Sequence, residues 1–145
     1  MKAKLVHEAH GQRTYVAVLD TGDEVLASLR DLAARETLAA AQVTAIGALQ
    51  KAVLGYFDWE RKDYVRIPVD EQVEVVSLLG DIGEDPKGGP ALHLHAVLGR
   101  KDGAALGGHL LEAHVRPTLE VVVTESPAHL RRRKDPETGL ALIAL

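Results

Sequence analysis

The chain is 145 residues long, a single-domain length at which roughly two-thirds of the unfolded surface is buried on folding. Its 46% hydrophobic and 26% charged residues are those of a globular protein, and a net charge of −4 gives no overall attraction to nucleic acid or anionic membrane. The absence of cysteine excludes disulfides, thiolate metal sites and thiol catalysis together.

The opening stretch, MKAKLVHEAHGQRTY, lacks the apolar core of a secretory signal, and no later stretch reaches the ~18 apolar residues of a membrane span. Cytoplasmic residence without membrane association is therefore expected. RTYVAVL (13–19) reads as the first strand. The period then changes: Val25, Leu29, Leu32 and Ala33 recur at three- and four-residue steps, with Leu26 and Ala40 widening the stripe, which predicts one amphipathic helix over about 23–41. Asp23 and Glu24 suit its first turn, where exposed N–H groups favour carboxylates.

Strand follows strand from there. VTAIGALQ (43–50), AVLGYFDW (52–59) and DYVRIPV (63–69) are short, β-rich and closely spaced, which points to hairpins. EQVEVVSLLGDIG (71–83) is a longer strand, followed by the loop EDPKGG. PALHLHAVLG (90–99) and TLEVVVTE (118–125) come next, and LALIAL (140–145) is a final strand after the turn-rich RRRKDPETG. A single α+β domain over 1–145, with a mostly antiparallel sheet and one main helix, is the fold class expected.

Four of the seven histidines lie within LHLHAVLGRKDGAALGGHLLEAHV (92–115). Residues two apart on a strand project from the same face, about 6.5 Å apart, so His93 and His95 can converge on one ion. Gly107-Gly108-His109 offers a third imidazole on backbone that permits close approach. Three neutral imidazoles with an open fourth position are a donor set for a divalent transition metal, zinc first. Solvated histidines on a water-facing sheet are the alternative. His114 fits neither spacing, and His7, His10 and His129 have no partner at an informative distance. A cupin would carry a Glu about four residues after the second His, where Gly99 stands.

LHLHAVLGRKDGAALGGHL, followed by VRPTLEVVVTE, resembles the signature of the plants-and-prokaryotes-conserved (PPC) domain family. EVVSLLGDIG (74–83), LDTGDEVLASLRDLA (19–33) and VTAIGAL (43–49) are similar to further segments of that family, with Asp81 where Asn is usual. The resemblance runs from about residue 10 to 145. It implies a homotrimer and, for stand-alone prokaryotic members, a metal held by three histidines, here His93, His95 and His109. Plant members join the domain to AT-hooks and serve nuclear DNA-binding proteins as assembly modules. This chain has no Arg-Gly-Arg-Pro core, and Val73 stands where plant members carry Phe.

The leading expectation is a regulatory, assembly or DNA-associated module, trimeric and metal-bearing. The alternative is a small metal-dependent enzyme, a hydrolase or lyase working through metal-bound water, for which Asp81, Glu112 and Glu120 are the available carboxylates. Arg131, Arg132, Arg133 and Lys134 make one basic run that could grip phosphates. Beside a turn, with Asp135 and Glu137 next to it, the run reads instead as a solvated loop, so DNA binding by this chain alone is expected to be weak or absent.

Overall fold

A computed structural model describes residues 1–144. Its elements run β1 (Lys2–Ala9), β2 (Gln12–Asp20), α1 (Val25–Glu36), β3 (Ala41–Asp58), β4 (Asp63–Val69), β5 (Val73–Glu84), β6 (Pro90–Gly99), β7 (Ala105–Glu125), β8 (Arg132–Lys134) and β9 (Ala141–Ile143). Seven strands form one antiparallel sheet in the order β1-β2-β7-β6-β5-β3-β4. Strand β7 also pairs with β3, so β3, β5, β6 and β7 close into a circuit from which β1–β2 and β4 extend as flaps. The fold class is α+β with a single helix, as the sequence implies.

Alternation builds the core. Tyr15, Ala17 and Leu19 of β2, Leu94, Ala96 and Leu98 of β6, and Leu119, Val121 and Val123 of β7 all turn inward at two-residue steps. Helix α1 covers that face with Val25, Leu29, Leu32 and Ala33, all buried. Its start is fixed by Glu24, whose carboxylate accepts from the Ala27 N–H at 2.7 Å and from the Ala113 N–H at 3.1 Å, joining cap to strand β7.

Six elements differ from the sequence expectation, one of them β7, which starts at Ala105 rather than at residue 118. Residues 2–9 form a strand, joined to β2 through His10 and Gly11, both at positive φ as a tight two-residue hairpin requires. The helix stops at Glu36, five residues early, because Thr37 turns left-handed and the Glu125 carboxylate captures the Ala39 and Ala40 N–H groups at 2.9 and 3.2 Å. The two strands expected over 43–59 are one 18-residue strand, β3, whose pairing with β5 shifts register between Ala45 and Gly47. The basic run 131–134 is no loop. It leads into β8, which pairs with β9. The final strand is shorter than expected, Ala141–Ile143, and residue 145 lies outside the described residues.

Candidate metal centre

Register assembles the histidines. Strand alternation puts His93 and His95 on the outer face of β6, opposite the buried Leu94 and Ala96 and the partly buried Leu92, which pack on the core. The 100–104 turn closes with the Arg100 N–H on the Ala104 carbonyl at 2.8 Å and Gly103 at positive φ, pairing Gly99 with Ala105. Counting back from that pair sets His95 directly across from His109. Cross-strand neighbours bring Cβ atoms to about 5 Å. Two steps along one strand plus one step across therefore define a triangle.

The three rings stand with centroids 5.1, 5.2 and 5.2 Å apart, and one nitrogen from each lies within 4.8 Å of the others. Nε2 of His93 and Nε2 of His95 approach to 3.1 Å. Two nitrogens on a tetrahedral ion with ~2.0–2.1 Å bonds would sit about 3.3 Å apart. That close match is a geometric reason to treat the site as a ligand set.

Protonation and burial agree with it. His109 is pushed down to about 4, chiefly by burial and then by the charges His93 and His95 would carry. Burial also lowers His93, followed by the Arg132 guanidinium and His95, with Asp81 opposing. Imidazoles held neutral keep a lone pair ready for a metal. Nδ1 of His109 is buried and finds no hydrogen-bond partner in the protein. An orphaned buried ring nitrogen is costly, and an ion is a group that would complete the site.

Two features around the triad escape a sequence reading. Tyr64 of β4 stacks on His109 with centroids 4.6 Å apart and planes 22° from parallel. Its ring crosses Gly55, where a Cβ would stand 2.8 Å from Tyr64 Cδ1, so glycine is needed there. Four of the chain's five aromatic residues lie within 56–64, a concentration that was the available signal. The second feature is Arg132. Its side chain is 4% exposed, pairs with Asp81 and donates to the Ala141 carbonyl at 2.9 Å. Asp81 in turn pairs across the sheet with His93.

A sequence profile of the Plants and Prokaryotes Conserved (PCC) domain matches residues 6–127. The chain belongs to that family. A plant- and prokaryote-conserved (PPC) protein of Pyrococcus horikoshii is 33% identical, with a TM-score of 0.85 and 92% of each chain covered. A metal-containing protein of Archaeoglobus fulgidus is 32% identical, with a TM-score of 0.84, covering 99% of this chain and 97% of that one. A candidate DNA-binding protein of Ralstonia eutropha is also 32% identical at a TM-score of 0.84, covering 90% of each. No curated protein matches the chain.

The remaining sequence candidates scatter over this PPC domain. His114 lies outside the triad, its Nε2 3.1 Å from Glu112 Oε1, and Glu112 also faces Lys51 and Arg66 at 3.8 Å. Glu120 is exposed on the outer face near Ile46 and Val122. His7, His10 and His129 are all on the surface. In the basic run, Arg131 pairs with Glu84 at 3.3 Å and Arg132 is buried, which leaves Arg133 and Lys134 facing solvent. No helix among the described residues is long and apolar enough to cross a membrane.

Proposed function

We propose that this PPC domain is a cytoplasmic, homotrimeric assembly or regulatory module that holds one divalent transition metal, zinc, on His93, His95 and His109. The observation that carries the reading is the convergence of three imidazoles, two of them half-buried, with one orphaned ring nitrogen. The Archaeoglobus relative described as metal-containing supports it. When bound, the ion supplies a Lewis-acidic centre with an open position. The protein's own part is to hold the ligands: Tyr64 packs flat on His109, and the Asp81–Arg132 pair flanks His93.

The triad's surroundings favour a module over a hydrolase or lyase. A water-activating metal site wants a carboxylate free to take a proton. Of the three candidates, Asp81 alone neighbours the triad, and it is engaged by the Arg132 guanidinium. Association with DNA, suggested by relatives such as the Ralstonia protein, would then come through partners or the assembled trimer.

Elemental analysis paired with native mass tests the proposal. Protein supplied with zinc is expected to carry close to one ion per chain and to run as a trimer. Replacing His93, His95 or His109 by Ala leaves two ligands and should strip the ion, while His114→Ala and His129→Ala should retain it. A zinc-supplied wild type that stays metal-free would return the three histidines to an ordinary solvated face.

A further inference from the structure

The β3–β4 hairpin leaves the rest of the sheet at the triad. Strand β3 pairs with β5 over 41–49 and with β7 over 41–55, and the outermost β7 pairing joins Gly55 to His109. Beyond it, Tyr56, Phe57 and Asp58 pair with β4 alone among the described residues, against Val65, Tyr64 and Asp63. A two-stranded ribbon is marginal in water by itself. This one also ends in exposed apolar surface, with Tyr56 67% and Trp59 53% exposed. Arg66 reaches back to Glu112 at 3.8 Å, a long surface pair that holds little.

A run of rings makes the firmer link. Trp59 meets Phe57 edge-on with centroids 6.2 Å apart, Phe57 meets Tyr64 edge-on at 5.4 Å, and Tyr64 lies flat on His109 at 4.6 Å. Contacts of these geometries stabilise beyond the area they bury. The run ends on one of the three imidazoles. Register fixes the backbone of His109, but rotation about the last side-chain bond of a histidine is broad unless packing narrows it. A ring only 22° from parallel does that.

We infer that the β3–β4 hairpin is a positioning arm for the metal centre: Tyr64 fixes the plane of the His109 imidazole, and the held imidazole in turn orders the hairpin out to Trp59. The inference rests on the proposed metal. Coupling of this kind is reciprocal, so whatever the ordered arm adds to zinc affinity, bound zinc adds to the order of the arm.

Hydrogen exchange of the full chain, with zinc and after chelation, reads the arm, with zinc content measured on every sample. Amides of residues 57–64 should exchange roughly tenfold more slowly with zinc bound, within the usual range for linked sites. Those of β1, at the opposite edge of the sheet, should not change. Trp59 is the only tryptophan, so its emission should shift on zinc addition. Tyr64→Leu keeps apolar bulk without the flat face, and should weaken zinc roughly tenfold and free the hairpin's exchange from zinc. Tyr64→Phe keeps the ring and should behave as the wild type. If the leucine variant fails to fold, the wild-type exchange comparison decides alone. Equal hairpin exchange with and without zinc, or wild-type zinc affinity in Tyr64→Leu, overturns the inference while leaving the metal site standing. Absence of zinc from the wild type overturns both.

Discussion

His109 shows what burial does to one side chain and how much of that a sequence can disclose. The group is pushed down to about 4 from an ordinary 6.5, first by desolvation and then by its two neighbours. Between those values the unfolded chain binds a proton at this position that the folded chain refuses, so the unfolded state holds more protons and stability rises with pH. The stability of chelator-stripped protein should therefore fall as pH drops from about 6.5 to about 4, with no further loss from this residue below. His109→Gln should flatten that part of the curve. Melting temperatures taken across the window for both proteins provide the check, and parallel slopes would show that His109 titrates normally. The identity of the three histidines was legible because alternation fixes His93 and His95 on one face from sequence alone. Tyr64 and Arg132 were not legible, since they meet the triad through β3–β4 pairing and through a hairpin folded back from 40 residues away, neither of which has a local signal.

At the scale of elements, local propensity was overruled wherever a distant group intervened. TLAAAQ (37–42) contains no glycine or proline, so nothing in it announces a helix end. The end is imposed by Glu125, at the far end of β7, which accepts from two N–H groups of that stretch. Thr37 is then left at φ 55°, ψ 47°, with its side chain exposed. A β-branched residue in that conformation costs on the order of 1 kcal/mol relative to glycine. Thr37→Gly should stabilise the protein by about that much, a rise of roughly 2–4 °C in Tm for a chain of this size. A lower Tm would mean that Thr37 makes a contribution its backbone angles do not reveal. The missed strand β1 has the opposite cause. Its residues Lys2–His7 are exposed at every position, so alternation of burial, the usual signature of a strand, never develops in KAKLVHEA. Pairing with β2 makes it a strand.

Two surfaces decide how the whole molecule meets others. The basic run, in its folded setting, offers less than its sequence suggests. With Arg132 buried on Asp81 and Arg131 against Glu84, two cations are left to release counterions from phosphate, on a chain whose net charge is negative. Affinity for duplex DNA at physiological salt should stay in the non-specific range of ~10⁻⁴ to 10⁻⁶ M. A sequence-selective nanomolar complex of this chain alone, seen by fluorescence anisotropy, would overturn that expectation. The other surface is apolar. Ile46, Val76, Leu79 and Val122, from three adjacent strands, line one shallow depression on the outer face together with Glu120, with Ile46 61% and Leu79 54% exposed. A contiguous patch of that kind on a sheet is a candidate interface, and in the proposed trimer another copy would cover it.

The patch borders the candidate metal centre, for Leu79 pairs directly with His95 across β5 and β6. Assembly and metal binding could on that account be one property or two, and the geometry separates them. All three imidazoles come from a single chain and are positioned by pairings within it, β6 with β7 and β3 with β7. The ligand set does not need a second subunit to exist. Leu79→Glu replaces an apolar lining residue of the depression by a second carboxylate beside that of Glu120, where a partner subunit would have to bury the pair at a cost of several kcal/mol. The substitution should convert the proposed trimer to monomer at micromolar concentration, while the monomer, whose Leu79 site is exposed to water, folds normally. Zinc should remain near one per chain in that monomer, with affinity reduced only as far as subunit packing had shielded the exposed His95 from solvent. Light scattering and elemental analysis on the same sample distinguish the outcomes. A monomer stripped of zinc would show that the neighbouring subunit completes the site, and a persistent trimer would place the interface on another face of the molecule.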